Sequence, residues 1–137
     1  MTNFLNSLDG NTLGVVLWVD DNPSNNRMLV QRFRSLGIET EIALSTDEAL
    51  SKVKNRNYSS LISDMGRPEG PKAGYDLLSK LRKSGNSTPV YFFAGSNKAE
   101  HKKLAANSGA QGSTNSTFQL AKWIFSDAVT NYIWEGE

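Results

Sequence analysis

Five short runs with strand character alternate along the sequence with stretches in which apolar residues recur at helical spacing. The first run, residues 14–19, is almost continuously apolar and rich in valine, which is typical of a strand buried on both faces. The other four runs cover residues 38–43, 59–64, 89–95 and 111–114, of which the run at 89–95 is strongly apolar and the run at 111–114 is weak and polar. Strands that alternate with helices in this way predict an α/β domain with a parallel sheet and right-handed crossovers.

Helix signals occupy the stretches between these runs. Apolar residues recur every three or four positions over residues 24–36, and Gly37 then acts as a stop signal. Ser45 and Glu48 match a capping box that opens a second helix. Further helices are predicted around Leu78, over residues 97–108 and from about residue 118 to residue 134. The compact arrangement is a doubly wound five-stranded parallel sheet with flavodoxin-like strand order 2-1-3-4-5 and helices on both faces.

Length and charge restrict the class of protein. The chain has 137 residues, which suits one domain at 13–137 after a leader, residues 1–12, that lacks periodicity. The seven-residue apolar run near the start is too short to cross a bilayer. A formal net charge of +1 creates no field that would recruit nucleic acid or anionic membrane, and the absence of cysteine fits a reducing compartment. We therefore expect a cytoplasmic protein that binds neither nucleic acid nor membrane.

Carboxylates end two of the predicted strands. Asp20 and Asp21 follow the first strand directly, and Asp64 ends the third. In the order 2-1-3-4-5 these strands are neighbours, and ligands bind outside their carboxyl ends. Three carboxylates within roughly 5 Å repel by about 3 kcal/mol per pair, so they need protonation, a basic side chain or a cation. An oxygen-only cluster suits Mg²⁺, although Asp-Asp-Asn-Pro is also ordinary turn and helix-cap chemistry.

These motifs resemble the receiver domain of bacterial response regulators over about residues 14–134. The resemblance rests on WVDDNPSNN before a helix, on LISDMGRP, on TPVYFFAG and on SGAQG before the last strand. It implies that Asp64 is the phosphoacceptor, that Asp21 binds Mg²⁺ directly and Asp20 through water, and that the backbone carbonyl of Gly66 is a further ligand. It also implies a histidine kinase or phosphotransfer protein as the partner, and a signalling module rather than an enzyme.

The sequence departs from the family pattern at the positions that grip the phosphoryl group. Ala94 stands where the family carries a Thr or Ser, and Ser116 stands where it carries a Lys. Ser113 replaces the aromatic residue that moves with the switch hydroxyl. Without the Lys, the pocket loses a charge-assisted contact worth roughly 1.5–3 kcal/mol. These losses affect switching more than metal binding.

Three cations lie in loops at the same rim and could replace the missing lysine: Arg67, Lys72 and Lys98. The ordinary interpretation of such residues is a solvated loop charge. Two functions follow from the pattern, namely a phosphoacceptor receiver or a pseudo-receiver that serves as an interaction module with weak or no switching. An aspartyl-phosphate hydrolase is a weaker alternative because that chemistry favours Asp-x-Asp after the first strand. A flavin-binding domain is weaker still, since no phosphate loop rich in Gly and hydroxyl residues follows it.

The last predicted helix carries apolar residues on one face. Ala121, Ile124 and Ala128 share that face, whereas Trp123 and Trp134 fall outside it. Large aromatic residues outside the packed face indicate an intermolecular contact, with a protein partner or a second copy of the chain, although a single exposed Trp is also common.

Overall fold

The structure, a computed structural model, describes residues 12–93 and 98–135. Apart from the exposed Thr12, the predicted leader lies outside the described residues. The strands are β1 (Gly14–Val19), β2 (Ile38–Ala43), β3 (Ser60–Ser63), β4 (Val90–Phe93) and β5 (Gly112–Thr114). The helices are α1 (Arg27–Ser35), α2 (Thr46–Asn55), α3 (Ala73–Lys83), α4 (Ala99–Asn107) and α5 (Thr117–Glu135), and a 3-10 turn over Pro23–Asn26 precedes α1.

All five strands are parallel and lie in the order β2-β1-β3-β4-β5, so the predicted topology is confirmed. In the register between β1 and β3, Val19 lies beside Ser63. The next residues, Asp20 and Asp64, therefore leave the sheet at the same edge. The backbone N–H of Asp64 donates to the carbonyl of Val19 at 3.2 Å, which keeps the two strand ends together.

Both faces of the sheet are covered by helices, as the apolar run of β1 predicts. Leu17 points into a core that α2, α3 and α4 cover, and Leu77 of α3 is fully buried there. Trp18 points into the opposite core, where Phe33 of α1 and Ile124 of α5 are fully buried. Burying side chains of this size stabilises the fold by about 1.5–3 kcal/mol each. This two-sided packing holds the ends of β1 and β3 in fixed positions.

The last helix packs as predicted through Ile124 and Ala128, but the prediction for Trp123 is wrong. The Trp123 ring stacks on the ring of Tyr91, with centroids 5.1 Å apart. Gly112 makes room for it, because a β-carbon there would come within 2.8 Å of the indole ring. Trp134 is exposed, and the proposed contact through this helix stays a prediction. Among the described helices, none combines the length and apolarity that are needed to cross a membrane.

Candidate functional site

Asp20 is held in place by the turn that follows β1. Its Oδ1 accepts a hydrogen bond from the backbone N–H of Asn22 at 2.8 Å, and its Oδ2 accepts one from Nδ2 of Asn26, also at 2.8 Å. Asn26 is buried. Sequence reasoning did not single out Asn26, since an asparagine in an Asn-rich turn is unremarkable until the turn is seen to fold back on Asp20. The 3-10 turn thus orients the Asp20 carboxylate at the edge of the sheet.

The structure brings Asp20, Asp21 and Asp64 together. One carboxylate oxygen from each lies within 4.8 Å of the others. Asp21 is exposed, whereas Asp20 and Asp64 are partly buried. In an octahedral Mg²⁺ site the metal–oxygen distance is about 2.1 Å, so opposite ligands lie about 4.2 Å apart. Three oxygen donors at this spacing fit Mg²⁺ with small side-chain movements or with one contact through water.

The Asp64 carboxyl has the most perturbed environment of the three. Its pKa is raised to about 6 in total: burial is the largest cause, the neighbouring Asp20 and Asp21 also raise the pKa, and the Arg67 guanidinium opposes the shift. At neutral pH the group is therefore mostly ionised, although its charge is poorly solvated. A carboxylate of this kind can act as an oxygen nucleophile, and any added positive charge stabilises its ionised form.

Arg67 supplies the cation of the pocket. Its side chain is fully buried, and Nη1 donates to Oδ1 of Asp64 at 2.7 Å. The remaining N–H groups donate to Oγ of Ser63, Oγ1 of Thr46, the carbonyl of Ala73 and Oε1 of Glu69. The interpretation of Arg67 as a solvated loop charge is therefore wrong, because four segments of the chain enclose it. Lys72 and Lys98 are exposed, as loop cations usually are.

The positions at which the sequence departs from the receiver pattern are only partly described. Ala94 lies outside the described residues. Ser113 is buried in β5, where an aromatic side chain would occupy the family position. The hydroxyl of Ser116 accepts from the backbone N–H of Gln119 at 3.2 Å, so this residue caps α5. The role of the Gly66 carbonyl as a metal ligand stays a prediction.

Gly74 is a second residue that sequence reasoning missed. It lies in the first turn of α3, where a β-carbon would come within 2.7 Å of the Asp64 backbone oxygen and 2.9 Å of the Phe92 ring. Its backbone N–H donates to the carbonyl of Met65 at 2.9 Å. The missing side chain lets α3 begin directly against the end of β3. This close approach also fixes the path of the loop that carries Arg67.

Fold and site define a class, namely a doubly wound α/β domain with a carboxylate pocket at the switch point of its sheet. The sequence model of the response regulator receiver domain matches residues 16–122. The chain belongs to the response regulator receiver domain family.

Curated relatives share this part of the sequence. The chain is 31% identical over 101 residues to the sensor histidine kinase RcsC of Salmonella typhimurium. The matched residues make up 74% of this chain and 10% of the relative. The chain is 30% identical over 94 residues to the sensor protein EvgS of Escherichia coli. The matched residues make up 69% of this chain and 8% of the relative. The chain therefore spans about a tenth of the length of these curated relatives.

Solved structures share the fold. The receiver domain of a Francisella response regulator has a TM-score of 0.76 and 26% sequence identity, and the match covers 86% of this chain and 98% of that one. A CheY-like receiver domain protein from Methanospirillum hungatei has a TM-score of 0.72 over 90% of this chain and 99% of that one. Its sequence identity is 24%, so this second likeness concerns the fold alone.

Proposed function

We propose that this receiver domain accepts a phosphoryl group on Asp64, with Mg²⁺ held by Asp20, Asp21 and Asp64, from a histidine kinase or phosphotransfer protein. The observation that carries the proposal is the approach of the three carboxylate oxygens to within 4.8 Å of one another. Such a cluster is unfavourable without a cation and has the oxygen ligands that Mg²⁺ prefers. Two curated relatives are named as sensor proteins, one of them a histidine kinase, which supports a phosphohistidine donor.

The chemistry follows from the groups in the pocket. An oxygen of the ionised Asp64 carboxylate attacks phosphorus, the new P–O bond forms, and the imidazole nitrogen of the donor leaves with the electrons of the P–N bond. Arg67 donates from Nη1 next to the attacked group, at 2.7 Å from Oδ1 of Asp64. When bound, Mg²⁺ supplies positive charge against the phosphoryl oxygens. The chain in this proposal is a phosphoacceptor in a cytoplasmic relay and not an enzyme.

The alternative of a pseudo-receiver is less well supported. It rests on the replaced residues Ala94, Ser113 and Ser116, which belong to the family's switching machinery rather than to its metal ligands. The acidic side chains of the pocket are kept, and Arg67 provides a buried cation beside Asp64. A protein partner or a second copy at α5 stays a proposal, for which Ile133 and Trp134, 52% and 72% exposed, are the apolar candidates.

Labelling with a small phosphodonor tests this proposal. The protein is incubated with acetyl phosphate and Mg²⁺, and its intact mass and peptides are then measured. We expect one base-labile phosphoryl group on Asp64, its loss in Asp64→Asn, and unchanged labelling in the control Asp76→Asn, which alters an exposed carboxylate of α3. Labelling that persists in Asp64→Asn would contradict Asp64 as the phosphoacceptor, and a parent protein that takes up no phosphoryl group would favour the interaction module.

A further inference from the structure

Arg67 belongs to a hydrogen-bond network that connects Asp64 with the beginning of α2. Its Nε donates to Oε1 of Glu69 at 2.9 Å, and its Nη2 donates to Oγ1 of Thr46 at 2.6 Å. The Glu69 carboxylate in turn accepts the backbone N–H of Thr46, with distances of 3.3 and 3.2 Å to its two oxygens. Thr46 is the first residue of α2. The loop that follows β3 thus connects Asp64 to the N-terminus of α2.

We propose that Arg67 is the cation that binds the phosphoryl group on Asp64, and that its movement, through Glu69, is read out at the N-terminus of α2. This inference rests on the proposed function. The buried Arg67, in the loop after β3, then has two roles: it binds the phosphoryl group, and it couples that binding to the surface at α2. It acts at a site where the sequence lacks the expected lysine and hydroxyl.

Every N–H donor of the Arg67 guanidinium already has a partner. A guanidinium has five N–H groups in a rigid planar fork. In Arg67 all five are used: one on Nε, two on Nη1 and two on Nη2. A phosphoryl oxygen can therefore bind Arg67 only in exchange for an existing partner. The bond from Nη1 to Asp64 is the one that phosphorylation itself changes.

Phosphorylation changes the charge that Arg67 faces. Phosphorylation converts the Asp64 carboxylate into an acyl phosphate, so the negative charge moves from the carboxyl oxygens to the phosphoryl oxygens. The Arg67 side chain is 0% exposed, which leaves no water to replace the lost carboxylate contact. A movement of the guanidinium toward a phosphoryl oxygen is therefore favourable, because the charge-assisted hydrogen bond that forms there is strong.

The rigid guanidinium of Arg67 links its contact with Asp64 to its contacts with Glu69 and Thr46. Because the fork is planar, Nη1 cannot shift toward a phosphoryl group without turning Nε and Nη2 as well. Those atoms hold Glu69 and Thr46. Glu69 also caps the α2 N-terminus as an anion, a favourable position next to the helix dipole. A displacement of Arg67 therefore weakens or reorients the contacts at Thr46, the residue at which α2 begins.

Binding of beryllofluoride, a mimic of the phosphoryl group, tests the first half of the proposal. With Mg²⁺ present, we expect Arg67→Lys to bind beryllofluoride about tenfold more weakly than the parent, since an ammonium cannot reproduce the fork. The matched control is Arg82→Lys. Arg82 donates to the carbonyls of Asn86, Thr88 and Gly109, remote from Asp64 in the fold, and this variant should bind like the parent. Equal affinity in Arg67→Lys and the parent overturns the inference.

The amide resonance of Thr46 tests the second half. We expect beryllofluoride to shift the Thr46 amide in the parent, and we expect Glu69→Gln to lose most of that shift while still binding beryllofluoride. A Thr46 amide that does not move in the parent despite saturation overturns the inference and leaves the proposed function standing. A parent that does not bind beryllofluoride with Mg²⁺ contradicts both. If Arg67→Lys does not fold, Glu69→Gln decides: a variant that binds beryllofluoride and keeps the full Thr46 shift of the parent overturns the inference.

Discussion

The stability of the protein should depend strongly on the ion pairs of Arg67. This residue is a buried cation with two carboxylate partners, Asp64 at 2.7 Å and Glu69 at 2.9 Å. In metal-free protein we expect Arg67→Met to lower the free energy of unfolding by about 2–3 kcal/mol, because both carboxylates lose their cation. Added Mg²⁺ should restore part of the loss by neutralising Asp64. Urea denaturation with EDTA and with Mg²⁺ measures both effects.

The control for Arg67→Met is Arg56→Met. Arg56 pairs with Glu39 and Glu41 at the protein surface and is 46% exposed. Exposed ion pairs contribute at most about 1 kcal/mol, and this one is remote from the carboxylate pocket in the fold, so Mg²⁺ should not change the effect of the substitution. Equal losses in Arg67→Met and Arg56→Met would contradict the role assigned to the buried pair.

The charge of Asp64 is a second feature at the residue scale. In metal-free protein at pH 7 we expect Asp64→Asn to raise the free energy of unfolding by about 1 kcal/mol. The substitution removes a poorly solvated charge next to Asp20 and Asp21, whose cost outweighs the pairing with Arg67, and the amide oxygen can still accept from Arg67. With Mg²⁺ present, that advantage should shrink, because the parent then gains from binding the ion. Thermal unfolding with and without Mg²⁺ makes the comparison. A variant that is less stable than the parent in EDTA would contradict the expected repulsion.

Among the elements, α3 depends on a glycine. A β-carbon at Gly74 would lie 2.7 Å from the Asp64 backbone oxygen, which cannot move without distorting the end of β3. We expect Gly74→Ala to cost about 1–2 kcal/mol of stability, even though alanine is the better helix former. The control Ser79→Ala, at an exposed position of α3, should stay within about 0.5 kcal/mol of the parent. A stabilising effect of Gly74→Ala in denaturant melts would contradict the close approach.

Most elements could be predicted because their signals are local. The bounds of β1 and β2 match the strands predicted at residues 14–19 and 38–43, and Ser45 caps α2 by accepting from the Glu48 N–H. The start of α1 was predicted at residue 24, but the chain first forms a 3-10 turn because Asn26 turns inward to bind Asp20.

Other features could not be predicted because their causes are remote in sequence. Arg67 is buried because Thr46, 21 residues earlier, accepts from it, and the GRPEG context alone is typical of an exposed loop. Trp123 packs because Gly112, on another element, leaves room for its ring. The three aspartates lie between these two cases. They are remote from one another in sequence, but the strand order that the sequence patterns predict is enough to place them at one edge of the sheet.

At the scale of the whole molecule, stability should depend on the pH through a contact between α5 and β4. The Tyr91 hydroxyl donates to Oδ2 of Asp127 at 2.6 Å. Burial raises the pKa of the Asp127 carboxyl above its usual value of 3.8, although the Tyr91 hydrogen bond opposes the shift. The folded state therefore binds this proton more tightly than the unfolded state, so the stabilisation is complete in acid and is lost as the pH rises through the folded pKa.

Asp127→Asn tests this dependence. An amide oxygen can still accept from Tyr91 and carries no charge to be desolvated. We expect the variant to match the parent in acid and to become the more stable of the two toward neutral pH. Urea denaturation across this range measures the difference. A difference in the free energy of unfolding that stays constant with pH would show that Asp127 does not titrate with folding.

The proposed function requires that three carboxylates from two strand ends form one Mg²⁺-dependent phosphoacceptor site. The most direct test is the initial rate of Asp64 phosphorylation by acetyl phosphate as Mg²⁺ is titrated. We expect the rate to rise to saturation in the parent, to fall to background in EDTA, and to lose its Mg²⁺ response in Asp21→Asn, which replaces one charged carboxylate ligand by a neutral amide and leaves the nucleophile intact. An Asp64 labelling rate that is the same with Mg²⁺ and with EDTA, or the same in Asp21→Asn as in the parent, would contradict the claim.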